Sequence, residues 1–277
     1  MKIKFIFILS ILFLTLQPAT GRAFVPQTPH LLQLVVQKIK HPAGIQTFQK
    51  KTIVDRKSPE EKGILFQEEL IYKYPDQLRS EAKSETMTSL SVESEYKFIK
   101  VINGEIVSRD KSPIDLYTDI LLYRNHESLL GQMVLAGIDV TKVGFKRYKD
   151  TICYVIGQPG EKGQPFAGLW IEKDTFFPVK YAVKKNDWIV EYLYLNWQKI
   201  SRTWYPMQID ILLDNQLFAT IEVNNIALES DFSPSIFDIS HIEQLYPEKQ
   251  GPHDFNQGSK KHDELDKRIE EFKKLYE

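Results

Sequence analysis

The chain has 277 residues, and its 36 basic and 37 acidic side chains give a formal net charge of −1 at pH 7. No cluster of basic residues alternates with aromatic residues, so the composition argues against a nucleic-acid-binding protein. The one cysteine, Cys153, has no second thiol with which to form an intramolecular disulfide, so the hydrophobic core must stabilise the fold by itself.

The N-terminus predicts a secretory signal peptide over residues 1–23. Lys2 and Lys4 precede an apolar run at residues 5–16, and small residues stand at the two positions that a signal peptidase reads. The run is about a dozen residues long, whereas a membrane-spanning helix needs roughly 20. An uncleaved N-terminal anchor is the alternative, but polar residues and a proline follow the run at once. The mature chain is therefore expected to begin at Phe24, in the periplasm.

The mature chain would keep 254 of the 277 residues. Removal of the signal takes away three of the 36 basic residues, which leaves 33 against 37 acidic ones and a net charge of −4. No cysteine stands at the predicted cleavage point to carry a lipid anchor, so the mature protein is expected to be soluble. Its length suits one large domain or two small ones.

The first element of the mature chain is predicted to be a helix from Thr28 to Lys40. Thr28 is a suitable N-cap, Pro29 fits the first turn, and His41-Pro42 with Gly44 ends the helix. The apolar residues of this helix cover more than one narrow stripe, which indicates that it lies against a large apolar surface.

Residues 45–238 are predicted to form mostly the strands of an antiparallel meander. Short connections at Asn103-Gly104, at 184–187 and at 214–216 each join two β-rich segments, as in β-hairpins. Asn-Gly is the strongest of these signals, because a type I′ turn needs positive φ at both positions. Alternation within the segments predicts one curved sheet with a buried apolar face and a wet face.

The apolar face of this sheet is expected to enclose a cavity that binds acyl chains. Each buried methylene contributes about 0.8 kcal/mol, so ten carbons would gain roughly 8 kcal/mol before the costs of binding are subtracted. The residues expected to line the cavity are Phe66, Leu70, Tyr72, Leu193, Leu195, Trp197, Met207, Ile209, Ile211, Leu213, Ile221 and Val223.

Two short helical segments, residues 114–123 and 128–136, interrupt the strands. Both are more apolar than a solvated surface helix, so they are predicted to lie on the open face of the sheet and, with the first helix, to act as lids. Leu130, Met133 and Val134 are predicted to make the lid contacts.

The composition changes after Ile242. Residues 247–261 are polar and contain Gly and Pro, which predicts a linker, and residues 263–276 carry apolar residues at helical spacing among charged ones. The chain is therefore divided into the signal peptide, one domain over residues 24–242, and a tail over residues 243–277 made of a linker and an amphipathic helix.

No arrangement of residues points to catalysis. The sequence contains no G-x-S-x-G elbow, no H-E-x-x-H motif, no P-loop and no dinucleotide-binding fingerprint. None of the six histidines has a second ligand at metal-binding spacing. No metal, no cofactor and no enzymatic activity are expected.

Four segments resemble those of the periplasmic lipoprotein-carrier superfamily. They are the strand at residues 46–54 after the first helix, residues 63–79 (GIL through YPDQLR), residues 168–180 (GLWIEKDTFFPVK) and residues 231–238 (DFSPSIFD). The segments are moderately specific as a set and weak singly, and the resemblance runs from the first helix to about Ile239.

The resemblance implies an α+β, mainly β fold: an unclosed antiparallel half-barrel of about eleven strands with helices covering its concave face. It also implies a monomeric periplasmic carrier that delivers lipid or lipoprotein acyl chains toward the outer membrane, with inner-membrane exporter and outer-membrane acceptor proteins as partners. Arg79, in Pro75-x-x-x-Arg79, matches an arginine that holds the lid shut in the soluble carrier; an ordinary surface position at a strand end is the alternative.

A different function is also compatible with the sequence. The same half-barrel could serve a non-catalytic envelope sensor or interaction protein that binds a protein partner. An enzyme is the third hypothesis, and no residue pattern favours it.

Overall fold

The computed structural model describes residues 25–40, 42–54, 63–157, 165–185, 188–229 and 231–248. The predicted signal peptide and the predicted C-terminal amphipathic helix lie outside these ranges, as does most of the predicted linker. None of the helices in the described ranges is both long enough and apolar enough to span a bilayer.

The described chain is built on one open antiparallel sheet of thirteen strands. The strand order is β6-β5-β4-β3-β2-β1-β13-β12-β11-β10-β9-β8-β7, so the first and last strands pair at the centre and join two meanders. The mainly β, unclosed architecture predicted from the sequence is confirmed, with thirteen strands in place of about eleven. The strands are β1 Gly44–Ile53, β2 Ile64–Lys73, β3 Gln77–Lys83, β4 Thr88–Ser94, β5 Lys97–Ile102, β6 Glu105–Ser108, β7 Val143–Tyr148, β8 Thr151–Ile156, β9 Gly168–Glu172, β10 Pro178–Lys185, β11 Trp188–Ile200, β12 Thr203–Leu213 and β13 Gln216–Glu229.

Tight turns set the pairing of neighbouring strands. Asn103 and Gly104 have φ of 49° and 85°, so the predicted Asn-Gly hairpin between β5 and β6 is confirmed. Asp214 and Asn215, with φ of 48° and 64°, make the corresponding turn between β12 and β13. Asn, Asp and Gly tolerate this left-handed backbone, which matches the twist of the strands on either side.

Four short helices accompany the sheet in the described ranges: α1 Thr28–Ile39, α2 Asp119–Leu122, α3 His126–Leu135 and α4 Ile239–Leu245. Two 3₁₀ turns, Asp115–Thr118 and Pro234–Phe237, precede α2 and α4.

The predicted capping of the first helix differs from the one observed. The N-cap of α1 is Gln27, without a side-chain cap, whereas the Thr28 hydroxyl donates to the Val140 carbonyl at 2.6 Å. This hydrogen bond connects α1 to the loop after α3. It gives both the buried hydroxyl and the carbonyl a partner.

The sheet has an inner and an outer face, and each is covered by different parts of the chain. The inner face lies under α1 and under residues 112–136, here named the covering segment, and their side chains form the main core with it. The outer face of β4–β6 lies under the 3₁₀ turn Pro234–Phe237 and α4, where Phe237 and Ile242 pack on strand residues including Val92 and Ile99. The outer face of β4–β6 is therefore partly buried.

Candidate functional site

The candidate site is the interface between the inner face and the covering segment. Alternate residues of each strand point to this face because the side-chain period of a strand is two. The strands of the two meanders supply different residues there, so the interface has an apolar half and a charged half.

The apolar half, here named the tyrosine wall, runs across β10 to β13. Tyr181 pairs with Tyr192, Tyr192 with Ile211, and Tyr194 with Ile209, so the rings and aliphatic side chains stand in adjoining rows. The members of the wall are Tyr181, Tyr192, Tyr194, Tyr205, Ile209, Ile211 and Ile221, and each is at most 2% exposed.

Tyrosine hydroxyls attach the wall to the backbone of the covering segment. The Tyr194 hydroxyl donates to the Tyr117 carbonyl at 2.8 Å, and the Tyr192 hydroxyl donates to the Pro113 carbonyl. Burial raises the pKa of Tyr192 and Tyr194 well above its ordinary value, so both hydroxyls keep their protons and act as donors. The hydroxyl of Tyr181 has no hydrogen-bond partner among the described residues.

The charged half, here named the charged floor, consists of Lys51, Glu68, Glu93, Lys100 and Lys111. Lys51 Nζ lies 2.8 Å from Glu68 Oε1, and both residues belong to the sheet. Glu68 also accepts from the Ser80 hydroxyl at 2.6 Å and from the Gln49 amide at 2.8 Å. Such a charge is tolerated in a buried site only because its oxygens are paired and hydrogen-bonded.

The other lysines of the charged floor bind carboxylates of the covering segment. Lys100 Nζ lies 3.1 Å and 3.0 Å from the two carboxylate oxygens of Asp115. Lys111 Nζ lies 2.6 Å from Glu93 Oε2 on β4 and 2.8 Å from Asp119 Oδ1 on α2. Asp115 thus binds a lysine of the sheet from a segment that does not belong to it, and Lys111, between β6 and that segment, connects Asp119 with Glu93.

The carboxylates of this network fall into two groups by the direction of their pKa shifts. Burial alone would raise the pKa of Glu68 and Asp115, but the charges of Lys51 and Lys100 and further hydrogen bonds outweigh it and lower both. Burial also raises the pKa of Glu93 and Asp119, and there the charge of Lys111, shared between two carboxylates, offsets only part of it.

The cavity at this interface is small. Its volume is about 30 Å³, and its lining includes Lys51, Lys100, Lys111, Glu68 and Asp115 together with apolar residues. It has room for roughly two water molecules. Over the tyrosine wall, where the sequence predicted an apolar cavity, side chains of α1 and of the covering segment pack directly on the inner face.

Arg124 joins the covering segment to the end of the interface. This guanidinium is 1% exposed and donates to the Leu121 and Lys40 carbonyls at 2.8 Å and 2.6 Å and to the Thr203 hydroxyl at 2.7 Å. Among the described residues no carboxylate forms an ion pair with it, and its Nη2 has no hydrogen-bond partner. Arg124 links the end of α1, the covering segment and β12.

Most of the predicted cavity-lining residues belong to the buried inner face or pack against it. Phe66 lies with Ala82 and Met87 at one end of this face and lines the small cavity. The remaining inner-face members of the predicted set are Leu70, Tyr72, Trp197, Met207, Ile209, Ile211, Leu213, Ile221 and Val223. A role in ligand binding stays a prediction for all of them.

The prediction that Leu193 and Leu195 line the inner face is wrong. Because Tyr192 and Tyr194 hydrogen-bond to the covering segment, the leucines that alternate with them face outward. Trp197, which shares their parity in the sequence, nevertheless packs against the main core, with its ring centroid 6.3 Å from that of Tyr194. Asn196 lies between them with φ of 56°, and this left-handed residue interrupts the alternation.

The residues predicted to make lid contacts lie in different surroundings. Met133 is fully buried against the inner face and Leu130 packs against it, but Val134 is 53% exposed on the opposite side of α3. Arg79 lies on the outer face, where its Nη1 donates to the Ile236 carbonyl at 2.8 Å. It therefore contacts the outer 3₁₀ turn, and not the helices that cover the inner face, because its parity on β3 is opposite to that of Leu78.

The charged floor was not among the sequence-predicted site residues. A signal for it exists in the sequence, because Lys51 continues the inner-face row of Thr47 and Gln49, and Glu68 stands between Phe66 and Leu70. These polar residues at inner-face positions belong to one network.

Comparison with known proteins identifies a fold and no sequence family. No protein-family profile matches the chain, and no curated protein matches it. A solved DUF1329 family protein from Desulfovibrio piger matches with a TM-score of 0.50 at 13% identity, over 79% of this chain and 100% of that chain.

Two further solved structures carry the same fold. A putative outer membrane lipoprotein-sorting protein domain from Vibrio parahaemolyticus matches with a TM-score of 0.50 at 9% identity, over 78% of this chain and 97% of that chain. A LolA superfamily protein from Nitrosomonas europaea matches with a TM-score of 0.51 at 12% identity, over 78% and 100% respectively. The resemblance inferred from the sequence is thus confirmed at the level of the fold.

Proposed function

We propose that the protein is a soluble periplasmic carrier that binds acyl chains of lipids or lipoproteins on the tyrosine wall and delivers them toward the outer membrane. The observation that carries this proposal is a continuous apolar wall closed by a segment that is held by side-chain contacts and is not a strand of the sheet. The similarity in fold to a lipoprotein-sorting domain supports it. An inner-membrane exporter and an outer-membrane acceptor would be its partners.

Acyl binding requires the covering segment to move, because the cavity of about 30 Å³ at this interface is too small for a chain. Each hydrogen bond lost in that movement, such as those from Tyr192 and Tyr194, costs about 1 kcal/mol. Burial of ten carbons gains roughly 8 kcal/mol, which offsets part of the cost of moving the segment, and a longer chain offsets more. The ligand shifts the equilibrium because it binds only the open state.

Fluorescence quenching by a brominated acyl chain tests the location of the ligand. Trp197 packs on the inner face, whereas Trp170 lies in a separate cluster on the outer face with Cys153 and Ala182. Variants that retain only one of these tryptophans, with Phe at the other tryptophan positions, are titrated with an acylated peptide that carries bromine along its chain. We expect quenching of Trp197 and none of Trp170.

Two results would refute the proposal. Absence of quenching at both tryptophans, with no acylated peptide bound in native mass spectrometry, would rule out an acyl carrier. Quenching of Trp170 alone would place the ligand on the outer face.

Export is tested by a separate experiment. N-terminal sequencing of the protein from a periplasmic fraction should give a sequence that begins at Phe24.

A groove on the outer face favours interaction with a protein partner as a second candidate function. The groove has a volume of about 530 Å³ and is lined by Phe48, Arg79, Leu90 and Tyr246 among others. Phe48 is 40% exposed there. A pull-down from envelope extract with the full chain and with a chain truncated before Pro247 tests this candidate, since loss of a captured partner on truncation supports it.

A further inference from the structure

The lysines of the charged floor obtain part of their counter-charge from the covering segment. Asp115 presents both carboxylate oxygens to Lys100 Nζ, at 3.1 Å and 3.0 Å, and accepts from the Ser112 hydroxyl at 2.6 Å. Asp119 lies 2.8 Å from Lys111 Nζ. A carboxylate on a separate segment thus occupies an oxygen-binding position at the sheet.

The charge balance of the floor depends on that segment. With the covering segment in place, the three ammonium groups of Lys51, Lys100 and Lys111 are bound by the carboxylates of Glu68, Glu93, Asp115 and Asp119. If the segment moves away, Asp115 leaves Lys100, which lies on β5, whereas Lys51 and Glu68 stay paired on the sheet. Opening therefore removes a negative charge from beside Lys100.

The charged floor is too polar to suit a ligand that consists of hydrocarbon alone. The small cavity is lined by three lysines and by the hydroxyls of Ser80 and Ser91. Hydrocarbon placed here could not replace the carboxylate of Asp115 that Lys100 loses when the segment opens. A carboxylate or phosphate would instead accept charge-assisted hydrogen bonds, which are about twice as strong as neutral ones.

We propose that the carboxylate of Asp115 holds the position of an anionic headgroup. When the covering segment opens, an acyl cargo lays its chain on the tyrosine wall and places a carboxylate or phosphate against Lys100, with Lys51 and Lys111 beside it. This inference rests on the proposed acyl-carrier function and narrows its cargo to acyl compounds that carry an anionic headgroup.

A set of probes with one acyl chain and three headgroups tests the inference. Dodecanoate, dodecanoyl lysophosphatidate and dodecanoyl glycerol are titrated into the full mature chain at low ionic strength, below their critical micelle concentrations. At least one anionic probe should bind about tenfold more tightly than the glycerol ester, as expected for one charge-assisted contact. The two anionic probes distinguish a carboxylate from a phosphate cargo.

Variants assign the preference to the charged floor. Lys100→Gln should abolish the preference, measured within each variant as the ratio of the affinities for the anionic probe and for dodecanoyl glycerol, whereas Lys100→Arg should keep it. Lys50→Gln is the matched control, since Lys50 is exposed and points away from the inner face one residue before Lys51. Asp115→Asn removes the competing carboxylate, so it should increase the preference for anionic probes.

Each failure has a separate meaning. Equal affinity for all three probes would overturn the headgroup inference and leave the acyl-carrier function standing. Failure of every probe to bind would contradict the proposed function itself. A reduced anionic preference in Asp115→Asn would show that Asp115 does not hold a ligand position. If Lys100→Gln does not fold, the headgroup inference is tested by Lys100→Arg and by the probe series on the unsubstituted chain.

Discussion

The two halves of the inner face hold the same covering segment by different chemistry. On the tyrosine wall, neutral hydroxyls of Tyr192 and Tyr194 donate to backbone carbonyls, so the attachment is independent of the side chains of the segment. On the charged floor, Lys100 and Lys111 bind the side chains of two aspartates. Loss of a neutral hydrogen bond of the first kind costs about 1 kcal/mol, whereas an ammonium left without its counter-charge costs more unless another anion replaces the aspartate. The contrast defines an amphiphilic site.

The largest expected effect of a single substitution is on the charged floor. Glu68→Ala leaves the ammonium of Lys51 and the donors Gln49 and Ser80 without their shared acceptor, so it should lower the free energy of unfolding by about 3–5 kcal/mol. Urea unfolding at pH 7 measures this. Glu81→Ala is the control, because its ion pair with Arg79 is solvent-exposed and should cost less than about 1 kcal/mol. Equal losses in both variants would contradict a buried network.

The sequence predicts the elements that local signals determine. The Asn103-Gly104 turn, the helix that begins near Thr28 and the two helical pieces of the covering segment follow from turn chemistry and spacing, which a few neighbouring residues decide. The open-sheet class follows from alternation in many strands, and the structure confirms it.

Local signals do not predict which side chains of a strand face the inner side of the sheet. β11 is apolar on both sides, so its pattern does not say whether Tyr194 or Leu195 faces inward; hydrogen bonds to the covering segment decide that. The ion pair between Lys51 and Glu68 depends on the register of β1 with β2, which a single sequence does not encode visibly. The seven-residue helix α4 is too short to give a periodic signal.

A smaller effect on the free energy of unfolding is expected from substitutions of two tyrosines of the wall. Tyr194→Phe removes a buried donor and leaves the Tyr117 carbonyl without it, so the free energy of unfolding should fall by about 1 kcal/mol. Tyr181→Phe removes a buried hydroxyl that has no partner among the described residues and should be neutral or stabilising. Thermal and urea unfolding of the two variants give the comparison. Destabilisation by Tyr181→Phe as large as by Tyr194→Phe would mean that the Tyr181 hydroxyl is hydrogen-bonded in solution.

The smallest expected effect distinguishes two carboxylates of the charged floor by the pH dependence of stability. Burial raises the pKa of Glu93, only partly opposed by Lys111, so the folded chain binds a proton at higher pH than the unfolded chain, where the pKa is about 4.3. Relative to Glu93→Gln, the unsubstituted protein should therefore gain stability as the pH falls from neutral toward about 4.

Glu68 should behave in the opposite sense. Its folded pKa is lowered because Lys51 outweighs the effect of burial, so the stability it contributes is complete above about 4.3 and is lost as the pH falls further. Urea unfolding of Glu93→Gln, Glu68→Gln and the unsubstituted protein at a series of pH values measures both slopes. Glutamine keeps an acceptor for the Tyr123 hydroxyl in the first variant, so the difference at neutral pH should stay within about 1 kcal/mol. Parallel pH profiles for the two variants would mean that Lys111 compensates Glu93 as fully as Lys51 compensates Glu68, and the floor would then behave as one uniform network.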